Sequence, residues 1–191
     1  MTRIPKAGLL AACLLLAAGC DSSGGQFGPP RSAEILRVTV SAAPFKDPIG
    51  NGWDGDSDGD IYFGLFDEAV PYKFNEGGAR LNALVDVRWV TPLTSVHPWY
   101  PDANENDLPM VWDVAPGHRV YNLREQLYVG LFDYNPATGD FPIGATETFS
   151  LLDIAPARVT NEDVILDLGG FDVHGDPTTA VRVSLTVRFL D

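Results

Sequence analysis

Cysteine is scarce: two residues in 191, at positions 13 and 20, both inside the first twenty. A disulfide-stapled miniprotein is therefore excluded. Positive charge is scarce as well, with 13 Lys and Arg against 26 Asp and Glu and a formal net charge of −13. That balance excludes a nucleic-acid binder, whose partner demands a basic footprint. It also excludes a purely electrostatic grip on anionic lipid. The three histidines, His97, His118 and His174, stand far apart with no paired spacing, so they are read as surface or turn residues and not as zinc ligands. No nucleophile-elbow pattern accompanies the Ser, His and Asp residues, so the chain is not expected to be an enzyme. Sustained 3.6-residue periodicity is missing too. What remains is 45% hydrophobic and 10% aromatic, enough to build a core, with 19 Gly and 15 Pro to supply turns. The composition points to an all-β domain.

Residues 1–19 have the pattern of an export signal: Arg3 and Lys6, then an apolar stretch from Ala7 to Ala18 too short to span a bilayer. Leu16-Ala17-Ala18-Gly19-Cys20 resembles the lipobox of bacterial lipoproteins, in which the cysteine becomes the lipidated first residue of the mature chain. Ala17 stands where that family usually has Leu. The resemblance implies a membrane partner through a lipid on Cys20, and an exported protein held in the cell envelope. Asp21 resembles a signal for retention at the inner membrane, a rule that holds only in some bacteria, so the choice of inner or outer membrane stays open. Residues 20–33 are rich in Gly, Ser and Pro, as a flexible tether is. Losing Arg3 and Lys6 with the leader takes the formal charge from −13 to −15.

From residue 34 to 191 short apolar runs are separated by turn residues, the pattern of an antiparallel eight-stranded β-sandwich. Leu36, Val38, Val40 and Ala42 alternate with polar residues and predict a strand with one buried face. Val181, Val183, Leu185, Val187 and Phe189 do the same at the C-terminal end. Ile61–Phe66 and Leu127–Phe132 are apolar on both faces and predict central strands. Further strands are expected at 81–90, 110–114, 143–151 and 164–168, with a turn of helix at 151–155 or 123–126. Tyr62-Phe63-Gly64-Leu65-Phe66-Asp67 recurs as Tyr128-Val129-Gly130-Leu131-Phe132-Asp133. A duplication and two strands that each pack aromatics around a glycine both account for this; the flanks lack the fixed-period similarity of a repeat.

The strongest chemical signal is Asp54-Gly55-Asp56-Ser57-Asp58-Gly59-Asp60. Four carboxylates on alternate residues repel one another, and a hard divalent cation resolves the repulsion. Asp54, Asp56, Asp58 and Gly59 fit the first half of an EF-hand loop, with Ile61 at the eighth position. The closing Glu is missing, since Leu65 stands at the twelfth position inside a predicted strand. A second run, Asp133-Tyr134-Asn135-Pro136-Ala137-Thr138-Gly139-Asp140, offers three oxygen donors, although its residues are also ordinary turn formers.

Taken together, residues 35–152 resemble a C-two domain, the calcium- and lipid-binding β-sandwich named for the second conserved region of protein kinase C. The residues that carry the resemblance run in matching order. Leu36-Arg37-Val38-Thr39-Val40-Ser41-Ala42-Ala43 looks like that family's opening strand, and Asp54 and Asp60 stand six apart like its first-loop aspartates. Asp60-Ile61-Tyr62 falls where the family has Asp-Pro-Tyr, and Leu108-Pro109-Met110-Val111-Trp112-Asp113 where it has Asn-Pro-x-Trp-Asn. Leu127 to Asn135 matches the strand into its third calcium loop, and Ile143-Gly144 the Ile-Gly that follows. The resemblance implies calcium as cofactor, acidic loops gathered at one end, and Asp54, Asp60, Asp133, Asn135 and Asp140 as ligands. Asn135 stands where an Asp is usual. Asp56 and Asp58 join the candidate set on their own local spacing. The expected function is a calcium-binding, lipid-anchored binding module, with phospholipid head groups as the implied partner and Phe45, Ile49 and Trp53 as candidate apolar tips. The alternative is a calcium-stiffened structural or adhesion domain whose partner is a protein or a glycan. Pro98-Trp99-Tyr100-Pro101-Asp102 is either a loop packing over the sandwich edge or a contact surface beside the calcium apex.

Overall fold

The computed structural model describes residues 28–47, 49–53, 57–67, 89–90, 99–135, 141–172 and 181–191. Ten strands follow in chain order: β1 (Ser32–Ala42), β2 (Gly59–Asp67), β3 (Trp89–Val90), β4 (Tyr100–Ala103), β5 (Met110–Val120), β6 (Gln126–Asp133), β7 (Phe141–Thr146), β8 (Phe149–Ser150), β9 (Val164–Asp172) and β10 (Arg182–Leu190). Every pairing is antiparallel, in the order β3-β2-β6-β7-β9-β10-β1-β5, with β4 on β2 and β8 on β6. The all-β antiparallel class expected from the sequence is the class observed.

The ladder curls until it nearly closes on itself. β9 carries the ladder round one side, because Val164–Gly169 face β10 while Gly170–Asp172 face β7. On the other side the Tyr100 hydroxyl of β4 accepts from the Val111 N–H of β5 at 2.8 Å and donates to its carbonyl at 3.2 Å. The main core fills the curl. Ile61, Phe63 and Leu65 of β2 meet Leu127, Val129 and Leu131 of β6, Trp112 of β5 and the inward row of β10. Each such side chain, fully buried, contributes about 1.5–3 kcal/mol. Tyr62, Phe66, Tyr128 and Phe132, the alternate residues of β2 and β6, form a second aromatic layer on the other face with Ala145.

The recurrent hexapeptides lie side by side. Tyr62 stands opposite Phe132, Gly64 opposite Gly130 and Phe66 opposite Tyr128. The Phe66 and Tyr128 rings stack at 5.0 Å and Tyr62 and Phe132 at 5.4 Å. An added Cβ at Gly130 would lie 2.9 Å from the Phe132 ring and 3.0 Å from that of Phe66. Gly130 makes room for the rings, so aromatic packing around a glycine accounts for the second copy of the motif.

Several expectations are corrected by the ladder. β1 begins at Ser32 and slips register between Ile35 and Arg37, opposite Val114–Gly117 of β5. The bulge changes the phase, so Ala33 and Ile35 join Val38 and Val40 in the core while Leu36 is only half-buried. The strand expected over 143–151 is two strands split at Glu147 and Thr148, followed by the 3₁₀ turn Leu151–Ile154. β4 takes up Tyr100–Asp102 of the expected aromatic loop and continues to Ala103. Of the strand expected over 81–90, Trp89 and Val90 pair with β2, and residues 81–88 lie outside the described residues.

Candidate functional site

The acidic end is built on the start of β2 and the end of β6. Ile61 pairs with Asp133, so Asp60 sits one residue above the ladder's last rung. The Asp60 N–H donates to Asp133 Oδ1 at 2.7 Å across 73 residues of sequence, and the Tyr134 N–H donates to the Asp60 carbonyl at 2.8 Å. Asp133 is 0% exposed. A Cβ at Gly59 would fall 3.0 Å from Asp133 Oδ1 and 3.1 Å from Trp53 Cβ, so the glycine lets the carboxylate close over β2. An ionised carboxylate out of water is costly unless charge-assisted hydrogen bonds or a cation meet it.

A third acidic residue approaches from β4. Asp102 has φ 46, the left-handed region that Asp and Asn tolerate best among non-glycine residues. Its N–H donates to Asp60 Oδ1 at 3.0 Å. Asp102 is exposed and was not among the sequence candidates. The residues after it have a structural explanation: Asn104 accepts from the Asn106 N–H and Asp107 from the Asn104 N–H, a capping box for the 3₁₀ turn Glu105–Asp107. The aromatic segment does lie beside the acidic end, since Trp99 stacks on Tyr134 at 4.5 Å, and Tyr134 meets Tyr62 edge-on.

Of the candidate ligands, Asp58, Asp60 and Asn135 are half-buried here and Asp133 is buried. Asp54, Asp56, Asp140 and the lipidation candidate Cys20 lie outside the described residues, as do His97 and His174. His118 is on β5 opposite Ile35. Among the described residues, no group of three or more His, Cys, Asp or Glu side chains gathers closely enough to hold a metal ion. Asp60 and Asp133 are joined through the Asp60 backbone N–H, and the Asp60 carboxylate accepts from the Asp102 N–H; both side chains offer only oxygen, the ligand type a hard cation takes.

The neighbouring tip is closed by contacts between residues 44–47 and residues 49–53. Lys46 bridges Gly52, and Asp47 Oδ1 accepts from the N–H groups of Ile49 and Asn51 at 3.0 and 2.8 Å. Two of the three expected apolar tips are packed inward. Phe45 is 9% exposed within the core, and Trp53 is half-buried with its indole N–H donating to the Pro44 carbonyl at 2.8 Å. Ile49 is 83% exposed. No protein-family model matches this chain, and no curated protein matches it.

Proposed function

We propose that this chain is a calcium-binding module of the bacterial cell envelope, C-two-like in its acidic loops and tethered through a lipid on Cys20. The observation that supports the reading best is the bond from Asp60 N–H to buried Asp133 Oδ1, since it joins two acidic segments that the sequence keeps 73 residues apart. Calcium takes six to eight oxygens in flexible geometry. Asp60, Asp133 and Asn135, with Asp58 and with Asp54, Asp56 and Asp140 of the same two segments, would supply them. The ion would balance the carboxylate charge and stiffen the loops.

Of the two uses of such an apex, the tip residues favour a protein or glycan partner over a phospholipid surface. Phe45 and Trp53 are engaged in packing, which leaves Ile49 to insert alone, and the charge of −15 without the leader opposes anionic lipid. Thermal unfolding in chelator and in millimolar calcium tests the metal reading. Calcium at a hundredfold excess over its dissociation constant stabilises by about 2.7 kcal/mol. In a domain of this size that raises Tm by about 5–11 °C. An unchanged Tm overturns the proposal.

A further inference from the structure

At Gly169–Gly170, β9 leaves β10 for β7, and the parting strands open a groove of about 430 Å³ on the flank of the fold. Its residues are distinct from those of the acidic end. Gly170 is drawn tightly onto β7, where an added Cβ would lie 2.0 Å from the Ala145 carbonyl oxygen. Gly169 is the opposite case: a Cβ there would meet nothing within 4 Å. Ser41 borders the groove where β1 slips register between Val40 and Ala42. The volume lies within the range of small-molecule sites.

The groove is lined by one cation, Arg182, and two carboxylates, Asp167 and Glu147. Arg37 and Arg188 are matched to Asp113 at 2.6 Å and Asp163 at 2.8 Å. Arg182 has no ion-pair partner among the described residues, although two carboxylates share its groove. Asp167 is held by the Ser184 hydroxyl, which donates to Oδ1 at 2.5 Å. A simple anion would meet two carboxylates here, and a simple amine would meet the guanidinium. A molecule carrying both charges satisfies both.

We propose that this groove binds small zwitterions, free amino acids above all, with the carboxylate on Arg182 and the ammonium group on Asp167 and Glu147. The guanidinium fork suits a carboxylate in a bidentate pair, and the carboxylates accept charge-assisted bonds from an ammonium. The test is an amide-resolved NMR titration of the full chain with L-alanine, and with acetate and methylamine as single-charge probes. Saturable shifts at Leu168, Gly169 and Arg182–Ser184 are expected with alanine, and binding about tenfold weaker with either half-probe. Arg182→Gln should weaken alanine binding by about tenfold, as loss of a charged hydrogen-bond donor does. Gly169→Leu should fill the open space and abolish binding without lowering Tm. Absence of saturable shifts at these amides up to millimolar alanine overturns the proposal. So does acetate or methylamine binding as tightly as alanine, or binding indifferent to Arg182→Gln.

Discussion

Gly130→Ala places a methyl group where two aromatic rings already stand. Its Cβ would lie 2.9 and 3.1 Å from Phe132 ring atoms and 3.0 Å from the Phe66 ring. Neither ring can yield cheaply. Phe132 is 3% exposed and Phe66 2%, and each stacks on a tyrosine of the neighbouring strand. Overpacking of this kind costs about 1–3 kcal/mol. The stiffer unfolded chain of the alanine variant returns about 0.4–1 kcal/mol. Mid-range values of the two leave a net loss of about 1.3 kcal/mol, or about 3–5 °C in Tm for a domain of this size. Gly169→Ala isolates the second effect, since nothing lies within 4 Å of its Cβ position. It should leave stability unchanged or raise it by up to about 1 kcal/mol. Differential scanning calorimetry of the two variants reads the contrast in sign. A Gly130→Ala protein as stable as the parent would refute the aromatic packing over that glycine.

The closure of the sheet and the anchor are open to separate tests. Tyr100→Phe deletes the hydroxyl that joins β4 to the Val111 N–H and carbonyl of β5; with Val111 at the surface, water replaces it in part and the loss is about 1 kcal/mol. Urea unfolding should show a lower midpoint at unchanged m-value, and an unmoved midpoint would mean the seam is not held there. Cys20→Ser should remove the chain from the membrane fraction and stop incorporation of labelled fatty acid while the thermal melt stays the same. A variant that still pellets with membranes contradicts the lipid tether.

The fold was most legible where one rule acted alone. β10 and the residue before it alternate without interruption, so the buried row from Val181 to Phe189 is legible straight from the sequence. β1 has the same alternation, which points Leu36 inward, but a bulge that depends on the partner strand β5 reverses the phase. β4 is not legible in the sequence, because four residues with a proline and an exposed Asp102 carry no period, and pairing to β2 makes them a strand. The repeated hexapeptide was legible as aromatic packing around a glycine, but not as two halves of one ladder. At the acidic end, the alternation of carboxylates was visible locally. The meeting of Asp60 with Asp133 is not legible in either segment, since neither specifies its spatial neighbour. Asp102 had no signal of its own, because its part rests on a backbone N–H aimed at Asp60. Phe45 and Trp53 look like tips by hydropathy, and only the folded turn shows one in the core and the other hydrogen-bonded to Pro44.

The central claim is that two acidic segments serve one calcium site, and calorimetric titration of Asp133→Asn with calcium tests it most directly. Asparagine keeps an oxygen to accept the Asp60 N–H and removes one charge, so the fold is spared while the donor set is weakened. Ligand charge count tunes calcium affinity, and Asp133→Asn should weaken it by about tenfold or more. Asp60→Asn should act alike, and the double variant should depart from additivity because both residues would contact one ion. If Asp133→Asn binds calcium as the parent does while Asp56→Asn and Asp58→Asn lose it, the first loop binds alone and the shared site is contradicted.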